Sequence, residues 1–208
     1  MKIETYKILL VGDKNVGKTS LLNRYIYGYF PLNTLPTIGI DMGIKQTNFN
    51  NIHYKLQLWD LSGNDKYKNI ISSYFNKCDI IIFTYDTTNK KTFENLINWI
   101  DYIEEYNNED ISNIVKILVG TKSDLENERQ ISDKEVKNFA ENYDMISTII
   151  CSSKKNINIT DIFDNIIDEL IKFNNDNNLE IEDYVDTDDN EIHHQKIKKY
   201  NCSCCTIL

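Results

Sequence analysis

Eight residues near the start of the chain constrain it more than any other feature. Gly12-Asp13-Lys14-Asn15-Val16-Gly17-Lys18-Thr19 follows an apolar run at 6–11 and opens a segment of helical periodicity at 17–27. The pattern G-x-x-x-x-G-K-[ST] between a strand and a helix is a phosphate-binding loop. Its glycines let the backbone curl, so that successive N–H groups converge on phosphate oxygens. The helix N-terminus adds the positive end of its dipole. Lys18 is a point charge for β- and γ-phosphates, and Thr19 offers a hydroxyl to Mg2+. Residues Gly12, Asp13, Lys14, Asn15, Val16, Gly17 and Ser20 complete the expected binding stretch.

Strands and helices alternate after this loop. Segments 40–50 and 53–60 alternate apolar and polar residues around Asn50-Asn51, which reads as a hairpin. Continuous apolar runs at 79–85 and 114–119, and a further strand at 146–151, suit a sheet buried on both faces. Helical spacing is expected at 92–106 (Phe93, Leu96, Ile97, Ile100, Ile103), at 133–143 and at 159–173. The expected fold is therefore α/β. It has a six-stranded, mostly parallel sheet with one antiparallel edge strand and helices on both faces. In such sheets ligands bind at the carboxyl ends of the strands.

Chemistry-bearing residues follow the later strands. After the fifth strand comes Gly120-Thr121-Lys122-Ser123-Asp124. The Asp124 carboxylate can accept two hydrogen bonds at once, from the ring N–H and exocyclic amine of guanine. Adenine has no matching donor pair, which disfavours an ATP-dependent enzyme. The Lys122 stem can cover the base face. Ser152, Ser153 and Lys154 follow the sixth strand and offer a backbone N–H to the guanine carbonyl oxygen. At the end of the hairpin, Trp59-Asp60-Leu61-Ser62-Gly63 places Asp60 to hold Mg2+ through water and the Gly63 N–H to reach a γ-phosphate. The loop at 30–39 supplies Thr37 as a second hydroxyl for Mg2+; ten residues is long for a plain connection.

With these motifs in place, the chain resembles a small GTPase of the Ras superfamily, and within it the Rab family, over about residues 6–173. The Rab-like features are Ile38-Gly39-Ile40-Asp41-Met42, Trp59-Asp60-Leu61-Ser62-Gly63, Lys66-Tyr67-Lys68-Asn69-Ile70, Ser73-Tyr74-Phe75, Tyr85-Asp86-Thr87-Thr88 and paired terminal cysteines. The resemblance implies a G domain at 1–173 that binds GTP and GDP with Mg2+ held at Thr19, Thr37 and Asp60. It implies a first switch closed by Thr37 and a second at 64–73. Ile38, Gly39, Ile40, Asp41, Met42, Trp59 and Tyr74 fall in the effector region. Phe30 stands where the family stacks an aromatic edge on guanine. Lys18, Gly63 and Asn64 occupy the catalytic positions.

Three departures bear on turnover and binding. Asn64 stands where Rabs usually carry a water-orienting glutamine, and its amide is one methylene short. Lys14 replaces a small residue and can crowd the γ-phosphate or a partner's arginine. Thr121 replaces the usual asparagine, as in Rho-type relatives. Met42 stands where Rabs have phenylalanine. The expectation is a slow GTPase that recruits effectors to membranes in vesicle trafficking. The alternative is a membrane-tethered scaffold locked in one nucleotide state.

Beyond 173 the periodicity ends. Residues 174–208 hold eight acids and three bases and are expected to form a disordered tail. Cys205-Thr206-Ile207-Leu208 fits C-a-a-X with a terminal leucine, which favours geranylgeranyl, and Cys204 beside it suggests double modification. Of the five cysteines, three (Cys202, Cys204, Cys205) lie in the last seven residues; Cys78 and Cys151 are the others. No signal peptide or apolar run of membrane-spanning length is read. The net charge of −9 excludes a nucleic-acid partner, which needs a basic face. The expected location is the cytoplasmic face of a membrane, lipid-anchored, with a cytosolic pool. The expected partners are effectors, an exchange factor, an activating protein, the prenylation machinery and a lipid-binding chaperone. The chain itself is expected to be monomeric.

Overall fold

The structure, a computed structural model, describes residues 3–179 apart from 33–34, 50–51, 109–110 and 112–113. Six strands form one sheet in the order β2-β3-β1-β4-β5-β6. They are β1 (Ile3–Val11), β2 (Ile40–Phe49), β3 (Ile52–Leu61), β4 (Ile80–Asp86), β5 (Val115–Thr121) and β6 (Ser147–Ile150). All neighbouring pairs are parallel except β2 with β3, so β2 is the antiparallel edge. The fold agrees with the sequence expectation.

Alternation along the central strands divides the core into two layers. Ile8 and Leu10 of β1, Ile80 and Ile82 of β4, and Ile117 and Val119 of β5 face one side. There they meet Leu21 and Leu22 of α1 (Lys18–Tyr27) and Ile162, Phe163, Ile166 and Ile167 of α6 (Ile159–Leu179). Leu9, Val11, Ile81, Phe83 and Leu118 face the other side. They are covered by Ile71 of α2 (Lys68–Ile71), Phe93 of α3 (Lys90–Glu94), Leu96, Trp99, Ile100 and Ile103 of α4 (Leu96–Tyr106), and Val136 and Phe139 of α5 (Asp133–Asn142). Every residue of β4 and β5 is buried, which explains their unbroken apolar runs. Each fully buried aliphatic or aromatic side chain contributes about 1.5–3 kcal/mol relative to exposure.

Three details depart from the sequence reading. The helix expected at 92–106 is two pieces meeting at Asn95, whose side chain turns to Asp13 instead of the helix surface. Ile97, placed on the apolar face by its spacing, is 41% exposed. The last helix runs to Leu179, six residues past the boundary expected at 173, so 174–179 continue a helix where a disordered tail was expected. The hairpin turn Asn50-Asn51 and the tail with Cys204 and Cys205 lie outside the described residues. The ends of β1, β4, β5 and β6 open on one edge of the sheet, and Gly12, Asp86, Thr121 and Ser152 sit there.

Candidate functional site

The loop after β1 is shaped by its glycines. Gly12 has φ 142°, and a Cβ there would lie 2.1 Å from the Thr84 carbonyl oxygen. Gly17, at φ 107°, is the N-cap of α1, which has no side-chain cap and no acid in its first turn. The leading N–H groups of α1 are thus left to an external acceptor. Lys14 and Asn15 are exposed on the loop crest, Asp13 is half-buried and Ser20 lies half-buried in the first turn of α1. Lys18 is only 5% exposed, and its Nζ donates to the carbonyls of Gly12 at 2.7 Å and Asp13 at 2.8 Å. Burial pushes its ammonium down to about 8, while Asp60 and then Asp13 pull it back up. A buried, unsettled ammonium between curled carbonyls suits a phosphate group. Gly63 backs onto this loop: a Cβ there would lie 2.2 Å from the Asp13 carbonyl carbon and 2.3 Å from the Lys14 nitrogen. Only glycine lets the two backbones approach so closely.

The three residues expected to hold Mg2+ converge from separate elements. Thr19 Oγ1 donates to Asp60 Oδ2 at 2.5 Å and lies 2.9 Å from Thr37 Oγ1, and Thr37 Oγ1 lies 3.2 Å from the same carboxylate oxygen. Asp60 is fully buried at the end of β3. Its other oxygen, Oδ1, has no hydrogen-bond partner among the described residues. Burial raises the Asp60 carboxyl above its usual range, and Lys18 and the Thr19 and Thr37 hydroxyls draw it back. An unpaired buried carboxylate oxygen beside two hydroxyls is a set of hard donors, and it fits a small divalent cation.

Residues after β5 and β6 form a second group. Thr121 Oγ1 lies 2.5 Å from the Val16 carbonyl and 3.0 Å from that of Tyr85, so it braces the phosphate-binding loop against the sheet. Lys122, at φ 61°, pairs with Asp86 at 2.5 Å. Asp124 Oδ1 accepts from Ser152 Oγ at 2.5 Å, and Ser152 Oγ accepts from the Lys155 N–H at 3.0 Å. Ser152 and Ser153 are buried; Lys154 is exposed. Phe30 is half-buried after α1.

In the segment expected as the second switch, Asn64 is exposed. Its Oδ1 accepts from the Lys66 N–H at 3.1 Å and caps the short 3-10 turn Asp65–Tyr67. Lys68 pairs with Asp65 at 2.8 Å, and its Nζ stands 5.7 Å from the Trp99 ring centroid and 5.4 Å from that of Tyr102. A cavity of about 810 Å3 opens between this segment, Asp13, Lys14 and Trp99. In the expected effector region Ile38 is 79% exposed and Asp41 is exposed, while Gly39 accepts from the Ser62 N–H at 2.9 Å. Ile40 pairs with Leu61, Met42 lies opposite Trp59, and Tyr74 packs on Trp59 at 5.2 Å between ring centroids.

Three contacts escaped the sequence reading. Asp13 accepts from Asn95 Nδ2 at 2.7 Å and from Trp99 Nε1 at 2.9 Å, residues 82 and 86 positions away. No local pattern announces such a pairing. The partner of Lys122, Asp86, ends a buried strand at the ligand edge of the sheet, and that position was its signal.

A model of the Ras family matches residues 7–172. The chain is similar to Ras-related protein Rab-19 of Xenopus laevis, 34% identical over 169 residues that cover 81% of this chain and 78% of that protein. It is also similar to Ras-related protein Rab-30 of Homo sapiens, 34% identical over 84% of each chain. Ras-related protein Rab-1D of Dictyostelium discoideum is 39% identical over 76% of each.

Proposed function

The chain belongs to the Ras family, is Rab-related and carries that family's activity, GTP hydrolysis; on that premise we propose that it is a GTP/GDP switch at the cytoplasmic face of a membrane. The convergence of Thr19, Thr37 and Asp60 carries this reading. Thr19 belongs to the phosphate-binding helix, Thr37 to the first switch and Asp60 to the strand that leads into the second. A charge that appears or disappears at that point acts on both switch segments at once. Bound nucleotide would supply the phosphoanhydride that is hydrolysed, and a Mg2+ ion held by Thr19, Thr37 and Asp60 would neutralise phosphate charge. Lys18 and the backbone amides of the loop bind phosphate. In this reading the Gly63 N–H meets the terminal phosphate, and Asp124 with the 152–154 turn reads guanine.

In this reading Met42, Trp59 and Tyr74 form the effector surface, and an exchange factor and an activating protein act on the switches. Cys204 and Cys205 accept prenyl groups from the prenylation machinery, and a lipid-binding chaperone carries the cytosolic pool. Vesicle trafficking is the setting the Rab relatives suggest. Hydrolysis is slow, because the Asn64 amide is short and occupied in capping. That same capping bond favours a second reading, a membrane-tethered scaffold held in one nucleotide state.

The test is the affinity of wild type and Thr19→Asn for GDP, GTP and ATP in Mg2+. Wild type should bind both guanine nucleotides and discriminate against ATP. Thr19→Asn should keep GDP binding and lose GTP, since a metal held by Thr19 would matter most where the phosphate charge is greatest. Equal loss of both, or tight binding of ATP, would overturn the reading.

A further inference from the structure

Arg24 lies in the last turn of α1, and its guanidinium donates to three backbone carbonyls. Nε reaches Ser153 at 2.7 Å, Nη1 reaches Gly28 at 2.7 Å, and Nη2 reaches Lys154 at 3.5 Å. The first and last lie 129 and 130 positions away in sequence. A cation at a helix C-terminus is favourable whatever its shape. Three carbonyls from two segments need more than charge: they need the fixed, planar fork that arginine has and lysine lacks.

What the fork holds bears on the base. Peptide units are planar, so fixing a carbonyl fixes the N–H of the next residue in the opposite direction. The Ser153 carbonyl sets the Lys154 N–H, one of the donors in the 152–154 turn. The Lys154 carbonyl sets the Lys155 N–H, which donates to Ser152 Oγ at 3.0 Å. Ser152 Oγ in turn donates to the Asp124 carboxylate at 2.5 Å. The same fork holds Gly28, from which the chain leads to Phe30.

We propose that Arg24 is a positioning residue for guanine recognition, clasping the 152–154 turn and the segment after α1 so that Asp124 and the turn's N–H groups present a fixed hydrogen-bonding edge to the base. This rests on the guanine-nucleotide reading above. Arg24 touches no nucleotide atom; it acts through the turn.

The experiment uses full-length protein loaded with nucleotide. Affinities for GDP, IDP and ADP are measured for wild type, Arg24→Lys and Arg24→Gln, with folding followed by circular dichroism. IDP lacks the exocyclic amine that Asp124 accepts. Arg24→Lys keeps the charge at the helix end and loses the fork. Both variants should bind GDP about tenfold more weakly, the scale of one charge-assisted hydrogen bond. Their preference for GDP over IDP should shrink severalfold. If the variants weaken GDP and IDP equally, or do not fold even with GDP present, Arg24 is a stability residue and the proposal is wrong. If wild type itself does not prefer GDP to ADP, the guanine reading fails, a result distinct from failure of the clasp.

Discussion

One methylene decides what the amide at position 64 does. Asparagine is among the best N-capping residues because its short side chain brings the oxygen back to a nearby backbone N–H, and glutamine is not. Asn64 Oδ1 is engaged in this way, on Lys66. Its oxygen is therefore spent on ordering the 3-10 turn Asp65–Tyr67. Misplacement of about 1 Å at a reacting centre costs roughly 10²-fold. Asn64→Gln should release the cap, costing about 1 kcal/mol of local order, and raise the single-turnover rate of GTP hydrolysis by roughly ten- to a hundredfold. Phosphate release after a single loading with GTP measures this. An unchanged rate would make Asn64 a neutral variant and remove the basis for slow turnover. At this scale the sequence was informative at the carboxyl ends of strands and in the loops just beyond them: Asp60 and Thr121 close β3 and β5, Asp124 lies three residues past β5, and Lys18 opens α1 after the loop that follows β1. It was silent on Asn95 and Trp99, because an asparagine and a tryptophan within helical periodicity carry no mark of a carboxylate more than eighty positions away.

At the scale of elements, α5 shows a cap written in full. Ser132 Oγ accepts from the Glu135 N–H at 3.3 Å, while Glu135 accepts from the Ser132 N–H at 2.9 Å. Lys90 at the start of α3 adds an ion pair to the same carboxylate at 2.7 Å, so one side chain caps one helix and ties it to another. The Lys90 bond, followed by the backbone and hydroxyl bonds of Ser132, lowers the Glu135 carboxyl to about 2 from an ordinary 4.5. A carboxyl depressed by folding contributes stability that is present above its unfolded value and is lost as pH falls through its folded one. Glu135→Gln should therefore lower the melting temperature at pH 7, and the gap from wild type should narrow between pH 4.5 and 2. Thermal melts of both proteins at stepped pH check the sign; a gap that widens on acidification would contradict it. The strands were legible because β4 and β5 are buried on both faces and cannot tolerate polar interruptions. Helix boundaries were less so. The piece boundary at Asn95 is hidden because the apolar spacing of Phe93, Leu96 and Ile100 runs straight across it, and the continuation to Leu179 falls among polar residues, where apolar spacing has nothing to report.

At the scale of the whole molecule, charge argues about what holds this protein to a membrane. The chain carries a net −9, with eight acids in residues 174–208 against three lysines there. An anionic leaflet repels such a body, and three lysines fall short of the cluster of four to eight, roughly, that lipid-specific recognition uses. Among the described residues no helix is long and apolar enough to cross a membrane. The proposed function assigns association to covalent lipid at Cys204 and Cys205. One chain binds only marginally and reversibly, whereas two give stable anchoring. This difference sets a graded expectation. Cys204→Ser or Cys205→Ser alone should leave protein divided between membrane and soluble fractions. The double variant should be recovered entirely in the soluble fraction. Because the contribution is hydrophobic and opposes electrostatics, washing membranes with high salt should not release the wild type; salt would release a protein held by its lysines. Fractionation of cells expressing each variant, with and without a salt wash, reads all of these outcomes. A double variant that still sediments with membranes, or a wild type stripped by salt, would show that lipid on these cysteines is not the anchor.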